Sequence, residues 1–101
     1  MKKIIYGKKY DTKTAKETAT WDNNFARSNF NYYEETLYLK KTGEYFLYGF
    51  GNAESKYAQR CPDGWTSGEN IRPLSEKEAK EWAEVHCDGD TYESIFGEVQ
   101  E

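Results

Sequence analysis

The sequence predicts an α+β fold: an antiparallel sheet centred on a β-hairpin over about 32–51, a C-terminal amphipathic helix over about 76–86 on one face, and two short helices beside it. Three observations carry this reading. Between Tyr32 and Gly51, apolar and aromatic residues alternate on both sides of Lys41-Thr42-Gly43-Glu44, the period-two signature of paired strands around a turn. Ser75 and Glu78 form an S-x-x-E capping box, followed by Ala79, Trp82, Ala83 and His86 at i, i+3, i+4 and i+7. Nine Tyr, five Phe and three Trp in 101 residues supply large buriable rings, which argues for a folded chain although 32% of residues are charged.

From the N-terminus, Lys3 to Tyr6 reads as a short strand broken by Gly7. Asp11 is placed to cap a helix running through about Thr18, with Tyr10 and Ala15 at the two positions of a hydrophobic staple. Ala19 to Asp22, with Trp21, reads as a strand, and the Asn-rich stretch from Asn23 to Asn31 as a loop. In the hairpin, Gly43 suits the left-handed position of a three-residue turn with a bulge. Tyr33, Leu37 and Leu39 share one face of the first strand, and Tyr32, Thr36 and Tyr38 the other; on the second strand Tyr45 and Leu47 oppose Phe46, Tyr48 and Phe50. A sheet apolar on both sides is covered on both, by its own chain or by a partner, which leaves monomer and homodimer open. Asn52 to Glu69 reads as a long polar loop with one helical turn near Ser55 to Gln59 and an exposed Trp65. Leu74 and Ala79 staple the main helix, and a second short helix is expected from Asp90, its N-cap, to Gly97, its stop.

A chain this short hides roughly 60 to 70% of its unfolded surface, too little for a deep multi-substrate active site, and nothing in it marks a boundary within residues 1–101. No apolar run approaches the ~20 residues that span a bilayer, so a cytoplasmic protein without membrane contact is expected. In that compartment the two Cys are thiols rather than a disulfide. The net charge of −4 conceals a split: residues 1–50 carry nine basic and six acidic side chains, and residues 51–101 five and twelve. Such asymmetry points to an electrostatic partner.

The metal-ligating types Cys61, His86 and Cys87 lack zinc-site spacing, because adjacent helical side chains such as His86 and Cys87 diverge by about 100°. They read as a packed imidazole and two ordinary thiols, with no metal or other cofactor, and the same divergence argues against a His86-activated Cys87 nucleophile. The run from Asp88 to Glu93 lacks the Gly and bidentate Glu of a calcium loop. Gly49-Phe50-Gly51 lacks the third glycine of a phosphate cradle. Lys40 and Lys41 beside Tyr45, Phe46, Tyr48 and Phe50 could stack and hold single-stranded nucleic acid, although the net negative charge opposes it. No catalytic residues emerge.

Four stretches carry a resemblance: I-I-Y-G-K-K-Y-D-T-K-T-A at 4–15, E-T-L-Y-L-K-K-T-G-E-Y-F-L at 35–47, I-R-P-L-S-E-K-E-A-K-E-W-A-E at 71–84 and Y-E-S-I-F-G-E-V at 92–99. They resemble short proteins carried by phages and mobile elements of bacteria, and the chain is similar to anti-CRISPR inhibitors acting on Cas9. The resemblance implies a non-enzymatic inhibitor in the host cytoplasm whose partner is a CRISPR effector. It brings over no catalytic residues. The residues themselves suggest how binding would work: Glu81, Glu84, Asp88, Asp90 and Glu93 stand in for phosphates on a basic groove, with Trp65 or Tyr side chains as anchors. The alternative is a small nucleic-acid-binding or regulatory module contacting phosphates through Lys8, Lys9, Lys40 and Lys41.

Overall fold

A computed structural model describes all residues from Met1 to Glu101. The elements are β1 (Lys2–Ile5), β2 (Lys8–Asp11), β3 (Lys16–Asp22), β4 (Tyr33–Leu39), β5 (Tyr45–Gly51), β6 (Gln59–Cys61), β7 (Gly64–Thr66), β8 (Gly68–Leu74), α1 (Glu76–His86) and α2 (Gly89–Phe96). A four-stranded antiparallel sheet, ordered β3-β4-β5-β8, is flanked by two two-stranded hairpins, β1-β2 and β6-β7. The α+β class and the hairpin-centred sheet are as the sequence predicts.

The β4-β5 register sets Leu37 opposite Leu47 and Tyr38 opposite Phe46, so neighbouring pairs face opposite sides. Between the strands, Lys40 N–H donates to Glu44 C=O at 2.8 Å and Gly43 takes φ +91°, the left-handed residue that the turn requires. On one side Leu37, Leu47 and Leu74 pack under Ala79, Trp82 and Ala83 of α1, with Tyr92 and Phe96 of α2 at the margin. On the other, Phe46 and Ile71 pack under Tyr10, with Met1, Ile5, Ala15 and Tyr38 around them. Tyr10 meets Phe46 edge-on at 5.6 Å and Tyr38 stacks on it at 5.1 Å. The chain therefore covers both apolar faces itself, the first with helices and the second with the β1-β2 hairpin. Each fully buried Leu, Ile or Phe contributes roughly 1.5–3 kcal/mol.

Three expectations are corrected. No helix follows Asp11: its carboxylate accepts from Lys13 N–H at 2.9 Å and its C=O from Ala15 N–H at 3.1 Å, which makes one turn before β3 begins. The same side-chain chemistry opens turns and helices alike, and pairing with β4 draws residues from Lys16 onward into the sheet. The stretch 52–69 is not one loop. It turns at 53–57 and then forms β6, β7 and the start of β8, an edge strand whose only apolar residues besides Pro73 are Ile71 and Leu74, on opposite faces. Finally, Asp88 rather than Asp90 caps α2, accepting from Thr91 N–H at 2.8 Å. The α1 capping box forms as expected, with Glu78 N–H to Ser75 Oγ at 3.1 Å and Ser75 N–H to Glu78 Oε1 at 2.9 Å.

One inward position of β4 is a carboxylate. Glu35 is 2% exposed, yet Trp82 Nε1–H donates to it at 3.0 Å, the Tyr57 hydroxyl donates to its other oxygen, and Lys56 Nζ lies 3.2 Å away. Burial pushes its pKa up, but the hydrogen bonds from Tyr57, Trp82 and Lys56 and the Lys56 charge outweigh that and hold it below the ordinary value. Position 49 must be glycine for this arrangement, because the Tyr57 ring lies where a Cβ would sit. Glu35→Ala strands the Trp82 and Tyr57 donors and should cost about 2–4 kcal/mol in urea unfolding. Lys56→Ala, at a half-exposed ammonium, should cost under about 1 kcal/mol. Equal losses in the two variants would show that the buried carboxylate is not the centre of this cluster.

Candidate functional site

The capped start of α1 and its docking through Ala79, Trp82 and Ala83 turn Glu81 and Glu84 outward. The chain then bends at Cys87–Asp88 into α2. Beside this corner lies an open groove of about 730 Å³, lined by the carboxylates Glu84, Asp88, Asp90 and Glu93 and by Ala83, Cys87, Tyr92 and Val99. Glu81 lines an adjoining depression with Glu76, Lys77, Lys80 and Glu84. Because Glu84 belongs to both, the five carboxylates singled out from the sequence share one continuous surface.

They are not equivalent. Asp88 is the α2 N-cap, and its hydrogen bonds from Thr91 hold its pKa below the usual carboxylate range. Glu93 Oε2 accepts from Val99 N–H at 2.8 Å, which ties the tail across the groove. Glu81, Glu84 and Asp90 are exposed and make no ion pair, whereas Glu76 and Glu78 of the same helix pair with Lys80 at 3.3 Å and Arg72 at 4.0 Å. Four lysines lie on the far side of the sheet: Lys2, Lys3, Lys8 and Lys9 are on the β1-β2 hairpin, with Lys13 just beyond it. The same side also carries Glu17, Glu34, Glu44 and Glu69, so the split along the chain is carried over the sheet only in part, by the hairpin and the helices.

Trp65 does not join the carboxylates. It sits on β7, 58% exposed, under the Arg60 guanidinium at 5.5 Å, and lines neither depression. Cys61 ends β6, while His86 is packed against Trp21 at 4.1 Å and Trp82 at 5.1 Å between ring centroids. No three His, Cys, Asp or Glu side chains converge as metal ligands would. Both cysteines are free, and burial with the neighbouring Asp88 charge pushes the Cys87 thiol up, away from the reactive thiolate. Sequence reasoning missed Val99 in the groove lining and the Glu35 cluster that orients α1. A carboxylate on the Leu37 stripe was the available signal for the latter.

No helix is long and apolar enough to cross a membrane. No protein-family model, curated protein or solved structure matches the chain. Its class is therefore defined by architecture: an α+β protein whose sheet is covered by carboxylate-bearing helices on one face and by a lysine-bearing hairpin on the other.

Burial lowers the His86 pKa, outweighing the opposing Glu35 charge. A folded pKa below the unfolded value of ~6.5 means that the unfolded chain binds the proton more readily, so stability present above that value falls as pH drops through the folded pKa. Melting temperature should decline between about pH 7 and pH 5. His86→Phe should flatten the profile in that window; an unchanged decline would assign it to other groups.

Proposed function

We propose that the protein is a non-enzymatic inhibitor that occupies a basic, nucleic-acid-binding surface of a CRISPR effector, Cas9 being the first candidate. The observation that carries this reading is the acidic groove itself. Unpaired Glu81, Glu84 and Asp90 line up with Asp88 and Glu93 beside the apolar side chains of Ala83, Tyr92 and Val99, on the side of the sheet opposite the β1-β2 hairpin. Carboxylates in such an array resemble a run of phosphates to a surface of Lys and Arg, speed encounter and fix orientation. The Trp65–Arg60 pair, exposed on a separate hairpin, supplies the residue types that dominate short-range binding energy.

The alternative, a nucleic-acid module built on the basic and aromatic hairpin, is weakened by two observations. Phe46 lies buried between Tyr10 and Tyr38, so its ring is closed to base stacking. Lys8 and Lys40 are bound to Glu44 at 2.8 and 3.1 Å.

The test is an affinity pull-down from a host lysate carrying a CRISPR system, followed by a target-cleavage assay on the recovered effector. Retention with inhibited cleavage is expected. Glu81→Lys with Glu84→Lys should weaken binding by about tenfold or more at low salt while moving the melting temperature little, because neither side chain has a partner in the fold. Undiminished inhibition by the double variant would remove the acidic face from the mechanism, and failure to retain any effector would remove the inhibitor reading.

A further inference from the structure

The lysine-bearing side of the molecule holds a second concave site. Where the β1-β2 hairpin meets the β4-β5 turn, Lys9, Asp11, Thr14, Lys40, Lys41 and Thr42 line a cleft of about 260 Å³. Its charges sort into committed and free. Lys40 is fixed, its ammonium 3.1 Å from Glu44 and 4.1 Å from the Tyr10 ring centroid. The Thr42 hydroxyl donates to the same Glu44 at 2.9 Å, and Lys8 Nζ lies 2.8 Å from it. Hydrogen bonds from Lys8, Lys40 and Thr42 hold the Glu44 pKa down to about 2, and Glu44 itself does not line the cleft.

What remains is rich in donors. Lys9 and Lys41 are exposed and have no carboxylate partner. The turn closes through Lys40 N–H to Glu44 C=O and Gly43 N–H to Lys40 C=O, so the backbone N–H groups of Lys41 and Thr42 donate to no protein acceptor. The one carboxylate in the lining, Asp11, has an oxygen engaged by Lys13 N–H at 2.9 Å. Two free ammonium groups beside successive unbonded backbone N–H groups are the elements of an oxyanion site, with lysine acting as a point charge toward phosphate.

We infer that this cleft binds a phosphate-type oxyanion through Lys9, Lys41 and the Lys41 and Thr42 backbone amides. The chemistry is shared by inorganic phosphate and by the phosphates of a nucleic acid. Because Phe46 beneath is covered, the site contacts phosphate without stacking bases. It lies apart from the acidic groove and does not rest on the inhibitor reading.

Amide-resolved NMR titration at low salt tests it, with inorganic phosphate and a 5′-phosphorylated single-stranded trinucleotide as separate probes. Saturable shifts confined to the amides of Thr14, Lys41, Thr42 and their neighbours are expected. Affinity should fall by at least about fivefold in Lys9→Gln with Lys41→Gln and hold in Lys77→Gln on α1. A trinucleotide that binds about tenfold tighter than phosphate assigns the ligand to nucleic acid, and equal affinity assigns it to free phosphate. Shifts that do not saturate, that spread equally over lysines elsewhere, or that persist in the double variant would overturn the site.

Discussion

The buried carboxylate of Glu35 is the interaction on which the arrangement of the molecule depends. It joins three parts of the chain that share no backbone pairing: β4, the turn at 53–57 through Lys56 and Tyr57, and α1 through Trp82. Removing a charge from water costs several kcal/mol, and hydrogen bonds from Tyr57 and Trp82 with the nearby Lys56 ammonium offset that cost here. A leucine at 35 would extend the Leu37 stripe and pack, but it would specify no partner for the Trp82 indole. The carboxylate accepts from one particular residue of α1 and so fixes the rotation of that helix. With successive side chains about 100° apart, turning Trp82 inward turns Glu81 and Glu84 out. The acidic surface is thus oriented by a hydrogen bond in the core.

The sheet also sets two differently charged elements apart. Helices carrying carboxylates cover one face, and a lysine-rich hairpin covers the other. The packed apolar layers of the sheet lie between the helix carboxylates and the lysines of the β1-β2 hairpin, although each side also pairs some of its charges locally, Lys8 with Glu44 and Lys80 with Glu76. A net charge of −4 describes neither side.

Features coded by neighbouring residues were legible, and features coded by distant ones were not. The hairpin and α1 carry strong local signals, a turn glycine between alternating strands and a capping box before an apolar face. The acidic surface was readable from charge counting, since Glu81, Glu84, Asp88, Asp90 and Glu93 follow closely along two consecutive helices. Asp11 misled because its side chain starts a turn as readily as a helix, and only pairing with β4 decides between them. β8 was hidden because Gly68, Glu69, Asn70 and Arg72 interrupt its alternation; it holds its place through its register with β5. Trp65 was readable as exposed, but its distance from the carboxylates is a property of the β6-β7 hairpin, which three-residue strands scarcely announce. The Glu35 cluster needs contacts spanning 22 and 47 residues, beyond any local pattern.

The ionisation of Glu35 tests this most directly, because burial alone would raise its pKa and only a formed hydrogen-bond cluster lowers it. A carboxyl ¹³C NMR titration of selectively labelled protein measures it. A Glu35 midpoint below the ordinary glutamate value, with native tertiary signals persisting until that carboxyl protonates, is the expected result: the group's contribution to stability is present above the unfolded pKa of ~4.3 and lost as pH falls through the folded one. A midpoint at or above the ordinary value would contradict it, since a carboxyl dominated by burial could not hold Trp82, and with it α1, in the orientation that turns Glu81 and Glu84 to solvent.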